Sequence, residues 1–220
     1  MEKINKFAFI SDFDGTISDD DFFAYTTREF FDDEALKPWR EYLDGQITHF
    51  AALKTMYGAL RVEQEKIDHL VRSITIDKYI RSVFSLCREK SIPIYIVSAG
   101  CDYYINYLIG DQIREFDIVL LTNRSRYSQD RGLEIFAPEK DDPFYDEKTG
   151  ISKVKLAQSL KSNGYKLIFA GDGPPDVEPA KIADVVFARK VLRNELEKLG
   201  VGYRDFADFR AIESYIKSEL

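Results

Sequence analysis

The sequence predicts an α/β protein, a doubly wound, Rossmann-like parallel sheet with a helical cap inserted near its N-terminus. Three observations predict it. Short apolar runs end in polar turns of small residues at Asp12–Thr16, Ser98–Gly100 and Gly171–Asp176. Beyond residue 76, strand-like and helix-like segments alternate, the pattern of a parallel sheet covered on both faces. Between the first two runs lies a helix-period stretch too long for a simple crossover. Residues 18–75 are therefore read as the cap, and 1–17 with 76–220 as the core.

The elements follow in order. Phe7–Ser11 reads as a buried strand feeding a tight loop. Helix-period apolar spacing begins near Asp20, Glu34, Thr48 and Glu63, interrupted by Pro38, Gly45 and Gly58. Phe22, Phe23, Phe30 and Phe31 make an aromatic stripe that reads as cap core, with one edge toward a substrate. Trp39, Tyr42 and Tyr57 read equally as lining of a pocket or as packing between cap helices. His49 and His69 stand apart from each other and read as surface or core histidines.

Asp77 reads as the N-cap of a helix that carries Ile80, Val83, Phe84 and Cys87 on one face. Ile94–Val97 is the second strand, Tyr103–Ile109 a helix and Asp117–Leu121 the third strand. The stretch Thr122–Gly150 is long for a connection, which predicts a functional loop or local structure. Leu133–Ala137 is read as half of a small hairpin. A helix over Ser152–Lys161, a strand at Lys166–Ala170, a helix at Val177–Ile182 and a strand at Val185–Phe187 follow. Helices at Val191–Leu199 and from Asp208 close the chain.

Composition narrows the function. Apolar residues make up 45% of the 220, with 16 Phe and 13 Tyr, enough for a substantial core. A formal charge of −7 gives no electrostatic reason to expect a nucleic-acid or membrane partner. The small basic cluster at Arg124 and Arg126 reads as a solvated loop. Two cysteines, Cys87 and Cys101, are too few for a disulfide framework or a zinc site and read as packing residues. The N-terminal Met-Glu-Lys-Ile-Asn-Lys is too polar for a signal peptide, and no apolar run approaches the roughly 20 residues of a membrane span. The expectation is a cytoplasmic protein, with no protein partner evident.

Ligands of parallel sheets bind beyond the carboxyl ends of the strands, so the three polar turns should gather at one edge. Asp12, Asp14, Asp172 and Asp176 would then meet, and four carboxylates repel unless a cation sits among them. Oxygen donors without His or Cys select magnesium. Magnesium keeps room for a substrate oxygen, which points to a small phosphorylated metabolite.

Asp12-Phe13-Asp14-Gly15-Thr16, Ser98, Lys153 and Gly171-Asp172-Gly173-x-x-Asp176 resemble the four ordered motifs of the haloacid dehalogenase superfamily of phosphatases. The resemblance spans nearly the whole chain and lies in the phosphoserine phosphatase-like branch with a helical cap. Asp12 to Ser18, Ser98 to Tyr104 and Phe187-Ala188-Arg189 look most like the methionine-salvage phosphatases of that branch. Those act on 2-hydroxy-3-keto-5-methylthiopentenyl-1-phosphate.

The resemblance implies a set of roles. Asp12 is the nucleophile that forms an aspartyl-phosphate, and Asp14 is the general acid and then base. Mg2+ is held by Asp12, the main-chain carbonyl of Asp14 and Asp172, with Asp176 on a coordinated water. Ser98, the amides of Ala99 and Gly100, Thr16 and Lys153 bind phosphate. Two departures matter. The second motif reads Ser-Ala-Gly where Ser-Gly-Gly is common. Asp21 stands where phosphoserine phosphatases carry a Glu that grips the amino group, so phosphoserine is the alternative substrate rather than the first. A phosphotransferase on the same scaffold is a further alternative, and Asp184 and Arg189 read as structural.

Overall fold

The computed structural model describes residues 6–220. Residues 1–5, most of the polar N-terminal stretch, lie outside the described residues.

The chain opens with β1 (Lys6–Ser11), whose alternate side chains serve two cores. Phe9 packs with the larger apolar cluster, and Ala8 and Ile10 with the smaller one on the other face. Four helices follow: α1 (Phe22–Phe30), α2 (Lys37–Leu43), α3 (His49–Gly58) and α4 (Gln64–Ser73). Thr48 caps α3 by accepting from the Ala51 amide at 3.2 Å. The block leaves and rejoins the sheet side by side. Ser18 and Ile76 form an antiparallel bridge, and the Asp77 amide donates to Ile17 O at 2.9 Å.

Then come α5 (Ile80–Glu89), β2 (Ile94–Cys101), α6 (Asp102–Glu115), β3 (Val119–Ser128) and β4 (Gly132–Phe136). A small hairpin, β5 (Tyr145–Asp146) and β6 (Gly150–Ile151), leads into α7 (Lys153–Ser162) and β7 (Tyr165–Gly171). A 3-10 turn at Pro174–Asp176 leads into α8 (Val177–Ile182), β8 (Val185–Ala188), α9 (Lys190–Leu199), β9 (Arg204–Asp205) and α10 (Arg210–Glu219).

Among the described residues, seven strands form the main sheet in the order β4-β3-β2-β1-β7-β8-β9, all parallel except β4. The fold is thus the α/β architecture expected. Its consequence for function is direct: β1 lies between β2 and β7, so the three polar motifs sit at the carboxyl ends of three adjacent strands, Ser98–Gly100 within the last residues of β2.

The structure departs from the sequence reading in four places. Asp77 is not the helix cap, since α5 starts at Ile80. Its carboxylate holds the lead-in turn instead, accepting from the Tyr79 amide at 2.8 Å and from Phe209 N at 3.1 Å. The helix read as ending at Ile109 does break there (φ −132°, ψ 15°) but resumes and runs to Glu115. The long connection is mostly strand. β3 continues to Ser128 and pairs with β4, so the hairpin half at Leu133–Ala137 has its partner in a stretch read as loop. Arg124 and Arg126 stay exposed, but on β3, where Arg126 pairs with Glu134 at 3.2 Å.

That hairpin supports the helical block. The Tyr127 hydroxyl donates to Val62 O, and in the separate β5–β6 hairpin Lys148 O accepts from Phe50 N at 2.8 Å. Gly132, at φ +71°, approaches so closely that an added Cβ would lie 2.6 Å from Gly58 O.

Candidate active site

Asp12 follows the last residue of β1, and its amide extends the ladder to Ala170 O on β7 at 2.9 Å. Asp172 begins the turn after β7, and Asp176 ends it. The structure brings one carboxylate oxygen from each of Asp12, Asp172 and Asp176 within 4.8 Å of one another. Lys153, the first residue of α7, lies between two of them. Its Nζ is 2.6 Å from Asp12 Oδ1 and 2.6 Å from Asp176 Oδ1, and all three side chains are at most 8% exposed. Burial alone would lower the Lys153 ammonium, but the two carboxylates more than reverse this and hold it charged.

One buried cation does not balance the acids. Asp12 is pushed well above the usual carboxylate range by burial, against Lys153 and with Asp176, Asp172 and Asp14 adding to the rise. Asp172 is raised by burial and by Asp176, with Lys190 Nζ 3.3 Å away working against it. Asp176 is braced from behind. Its Oδ2 accepts from the amides of Asp172 (3.0 Å) and Gly173 (3.1 Å), across a gap that a Cβ on Gly171 would fill.

Asp14 stands apart from that group. Its Oδ2 accepts from the Tyr104 hydroxyl at 2.6 Å and from Ser98 Oγ at 2.8 Å, and its Oδ1 from Phe22 N at 3.2 Å. Withdrawal from water raises its pKa, while these hydrogen bonds pull it down. Its side chain is thus engaged elsewhere, and its main-chain carbonyl is what it could offer an ion.

The second motif bows out of the sheet. Val97 pairs with Leu121 and Cys101 with Asn123, so four residues of β2 advance against two of β3. Buried Asn123 fills the gap by donating from Nδ2 to Ala99 O (2.9 Å), Gly100 O (3.0 Å) and Thr149 O (3.2 Å). Ser98, Ala99 and Gly100 all face the cavity, with the Gly100 amide donating to Ser98 Oγ at 2.9 Å. Thr16, expected on the phosphate, is fully buried and donates to Asp12 Oδ2 at 3.1 Å.

Arg189 and Asp184 are structural, as read. The Arg189 guanidinium donates to Gly15 O (2.6 and 2.8 Å) and Ser18 O (3.0 Å), and Asp184 accepts from Leu167 N at 2.7 Å. Burial lifts the thiols of Cys87 and Cys101 to about 12, which leaves them inert packing groups.

The acids face a cavity of about 430 Å³. Its far wall comes from the helical block: Phe23, Trp39, Tyr42, His49, Leu53 and Tyr57. Trp39 packs at a tilt against Phe23 (centroids 4.1 Å) and Tyr42 (5.0 Å), and His49 stands edge-on to both Trp39 and Tyr42. Burial, with a smaller push from Lys153, lowers His49 to about 4, so it is neutral at pH 7. His69 takes no part in this wall. At the rim, Asp21 is open to solvent on one side. Protein crowding on the other, with Asp14 and Asp172 next in importance, raises it to about 7.

Residues 9–181 match the haloacid dehalogenase-like hydrolase family, and the chain belongs to that family. Within it the chain is a phosphatase, similar over nearly its full length to curated relatives. It is 27% identical over 215 residues to the 2-hydroxy-3-keto-5-methylthiopentenyl-1-phosphate phosphatase of Bacillus velezensis, covering 95% of this chain and 89% of the relative. It is 30% identical over 203 residues to the protein of the same name from Geobacillus kaustophilus, covering 90% of each. A substrate-bound phosphoserine phosphatase shares the fold, with a TM-score of 0.67 at 17% identity over 96% of this chain and 98% of that one. No helix among the described residues is long and apolar enough to cross a membrane.

Proposed function

We propose that the chain is a magnesium-dependent phosphomonoesterase that works through an aspartyl-phosphate on Asp12, with 2-hydroxy-3-keto-5-methylthiopentenyl-1-phosphate as its substrate. The observation that carries this is the meeting of Asp12, Asp172 and Asp176 around Lys153 at the floor of a cavity whose opposite wall is aromatic. Residues 1–17 and 76–220 are the catalytic core, and 18–75 are a cap that closes over the substrate.

The donor set suits magnesium, being oxygen only and short of positive charge. Asp12, Asp172 and the Asp14 carbonyl would hold the ion, and Asp176 a water on it. When bound, the ion offsets the negative charge of the phosphoryl oxygens. Lys153 and the Ala99 amide bind those oxygens, while Ser98, whose hydroxyl hydrogen is given to Asp14, lines their pocket. Asp12 attacks phosphorus in line, the bond to the ester oxygen breaks, and Asp14 gives that oxygen its proton. Asp14, now a carboxylate, takes a proton from water as the water oxygen attacks the phosphorus of the aspartyl-phosphate. Inorganic phosphate leaves and Asp12 is restored.

The cap wall supports the substrate. Trp39, Tyr42, Phe23 and Leu53 offer an apolar, polarisable surface that favours a thioether tail. Phosphoserine would need a cation for its carboxylate. Among the described residues lining the cavity, the lysines are Lys153 and Lys190, and both already pair with aspartates. Asp21 at the rim contacts the polar part of the substrate. A cytoplasmic setting suits two unpaired thiols.

The test is phosphate release from the methylthiopentenyl ester, phosphoserine and p-nitrophenyl phosphate, each with magnesium and with EDTA. The expected order of kcat/KM puts the methylthiopentenyl ester first and phosphoserine far below it, with EDTA abolishing turnover and Asp12→Asn inactive. Faster turnover of phosphoserine would overturn the substrate, and no release from any ester would overturn the phosphatase mechanism.

A further inference from the structure

We propose that Tyr104 is a positioning residue that aims the general acid Asp14 and makes that aim depend on how the cap is seated. The proposal rests on the phosphatase reading above and adds to it a residue which that reading does not use.

The Asp14 carboxyl is held from two sides. From the core, the Tyr104 hydroxyl (2.6 Å) and Ser98 Oγ (2.8 Å) both donate to Oδ2. Two donors use both lone pairs of that oxygen. Oδ1 has one partner, the Phe22 amide at 3.2 Å, and so keeps a lone pair free. Oδ1 is therefore the oxygen able to carry a proton to the leaving group. A carboxyl group free to rotate would exchange its two oxygens, and the Tyr104 hydroxyl is placed to prevent it.

The second hold comes from the cap. Phe22 is the first residue of α1, and its ring stacks on Tyr104 with centroids 4.3 Å apart and planes 14° from parallel. Tyr104 is 1% exposed, and Phe22 is fully buried. The same cap residue thus touches the acid through its amide and the residue that orients the acid through its ring. The space for this is reserved: a Cβ on Gly100 would collide with the Tyr104 hydroxyl. A tyrosine serving only as packing has no need of a hydroxyl on a carboxylate, or of a glycine that keeps its path clear.

Aim matters only where a proton must be delivered. p-Nitrophenolate leaves without one, whereas an alkoxide does not. In a reaction with a covalent intermediate, kcat/KM reports the steps through loss of the leaving group. The experiment measures kcat/KM for n-butyl phosphate and p-nitrophenyl phosphate in wild type and Tyr104→Phe, with thermal melts alongside. The alkyl ester should lose at least about tenfold more than the aryl ester, within the range that general acid catalysis supplies. Equal losses on the two esters would make Tyr104 a packing residue and overturn the proposal. Should Tyr104→Phe fail to fold, the same comparison in Phe22→Leu decides it, because loosening the stack disturbs the aim while leaving the hydroxyl. Were wild type to release phosphate from neither ester, the phosphatase reading would fall first and this proposal with it.

Discussion

Replacing Lys153 by methionine removes the one buried cation between Asp12 and Asp176 while keeping most of the apolar stem. Each Nζ–Oδ1 pair is 2.6 Å long, a gross attraction of about 6 kcal/mol at an effective dielectric constant of roughly 20. The cost of withdrawing three ions from water consumes much of that. Stripping the partner from a buried ion pair nevertheless costs about 3–5 kcal/mol, because the remaining charges are left uncompensated. In a domain of this size that is a fall in Tm of about 10 °C. Thermal unfolding followed by circular dichroism, without added metal, should show it. Added magnesium should return part of the loss by replacing the missing charge, whereas hydrolysis of p-nitrophenyl phosphate should stay severely impaired. A variant that melts within about 2 °C of wild type, or that keeps its activity, would refute the claim that Lys153 neutralises this cluster.

Other substitutions test other parts of the site. Gly100→Ala should cost about 1–3 kcal/mol by overpacking and lower activity, since its Cβ would lie 2.9 Å from Tyr104 Cζ and 3.0 Å from Asp14 Oδ2; urea unfolding and kcat/KM measure the two effects. Asn123→Ala leaves the carbonyls of Ala99, Gly100 and Thr149 without their donor, for an expected loss of about 3 kcal/mol and weaker phosphate binding. His49 sets a pH dependence. Its folded value of about 4 lies below its ordinary 6.5, so as pH falls through that window the unfolded chain takes up the proton first and stability drops. The nearby aspartates, with raised values, act in the opposite sense, so the quantity to measure is wild type minus His49→Gln. That difference should change by about 2–3 kcal/mol between pH 7 and pH 4.5 in urea titrations.

The acids were legible because a strand end is a strong local signal. Phe7–Ser11 and Lys166–Ala170 are short apolar runs that stop at Asp and Gly, and the parallel sheet brings their ends together. Lys153 carried no such signal among the neighbouring lysines; only its place in an ordered set of motifs singled it out. The contacts of Tyr104 and Asn123 were invisible for a physical reason, although Tyr104 ends a stretch that carries the resemblance. A tyrosine on an amphipathic helix and an asparagine after an apolar run look like ordinary packing and turn residues, and their roles depend on partners 90 and 24 residues away. The strand from Thr122 to Ser128 was read as loop because its residues are polar, which an outer hairpin tolerates. Trp39 and Tyr42 read equally as pocket lining or as packing, because only the closing of the helices over the sheet edge decides that they face the cavity.

Arg189 carries one last consequence. Its guanidinium grips main-chain oxygens of the Asp12–Ser18 loop at Gly15 and Ser18, reaches Ala207 O at 3.3 Å, and lies over the Phe206 ring at 5.2 Å. It holds the path of the loop through main-chain oxygens and so leaves the side chains of Asp12, Asp14 and Thr16 to their own partners. The tail segment around Phe206 and Ala207 is thereby mechanically joined to the loop that carries Asp12. A change there, far along the chain from Asp12, should therefore reach the loop through the Arg189 side chain.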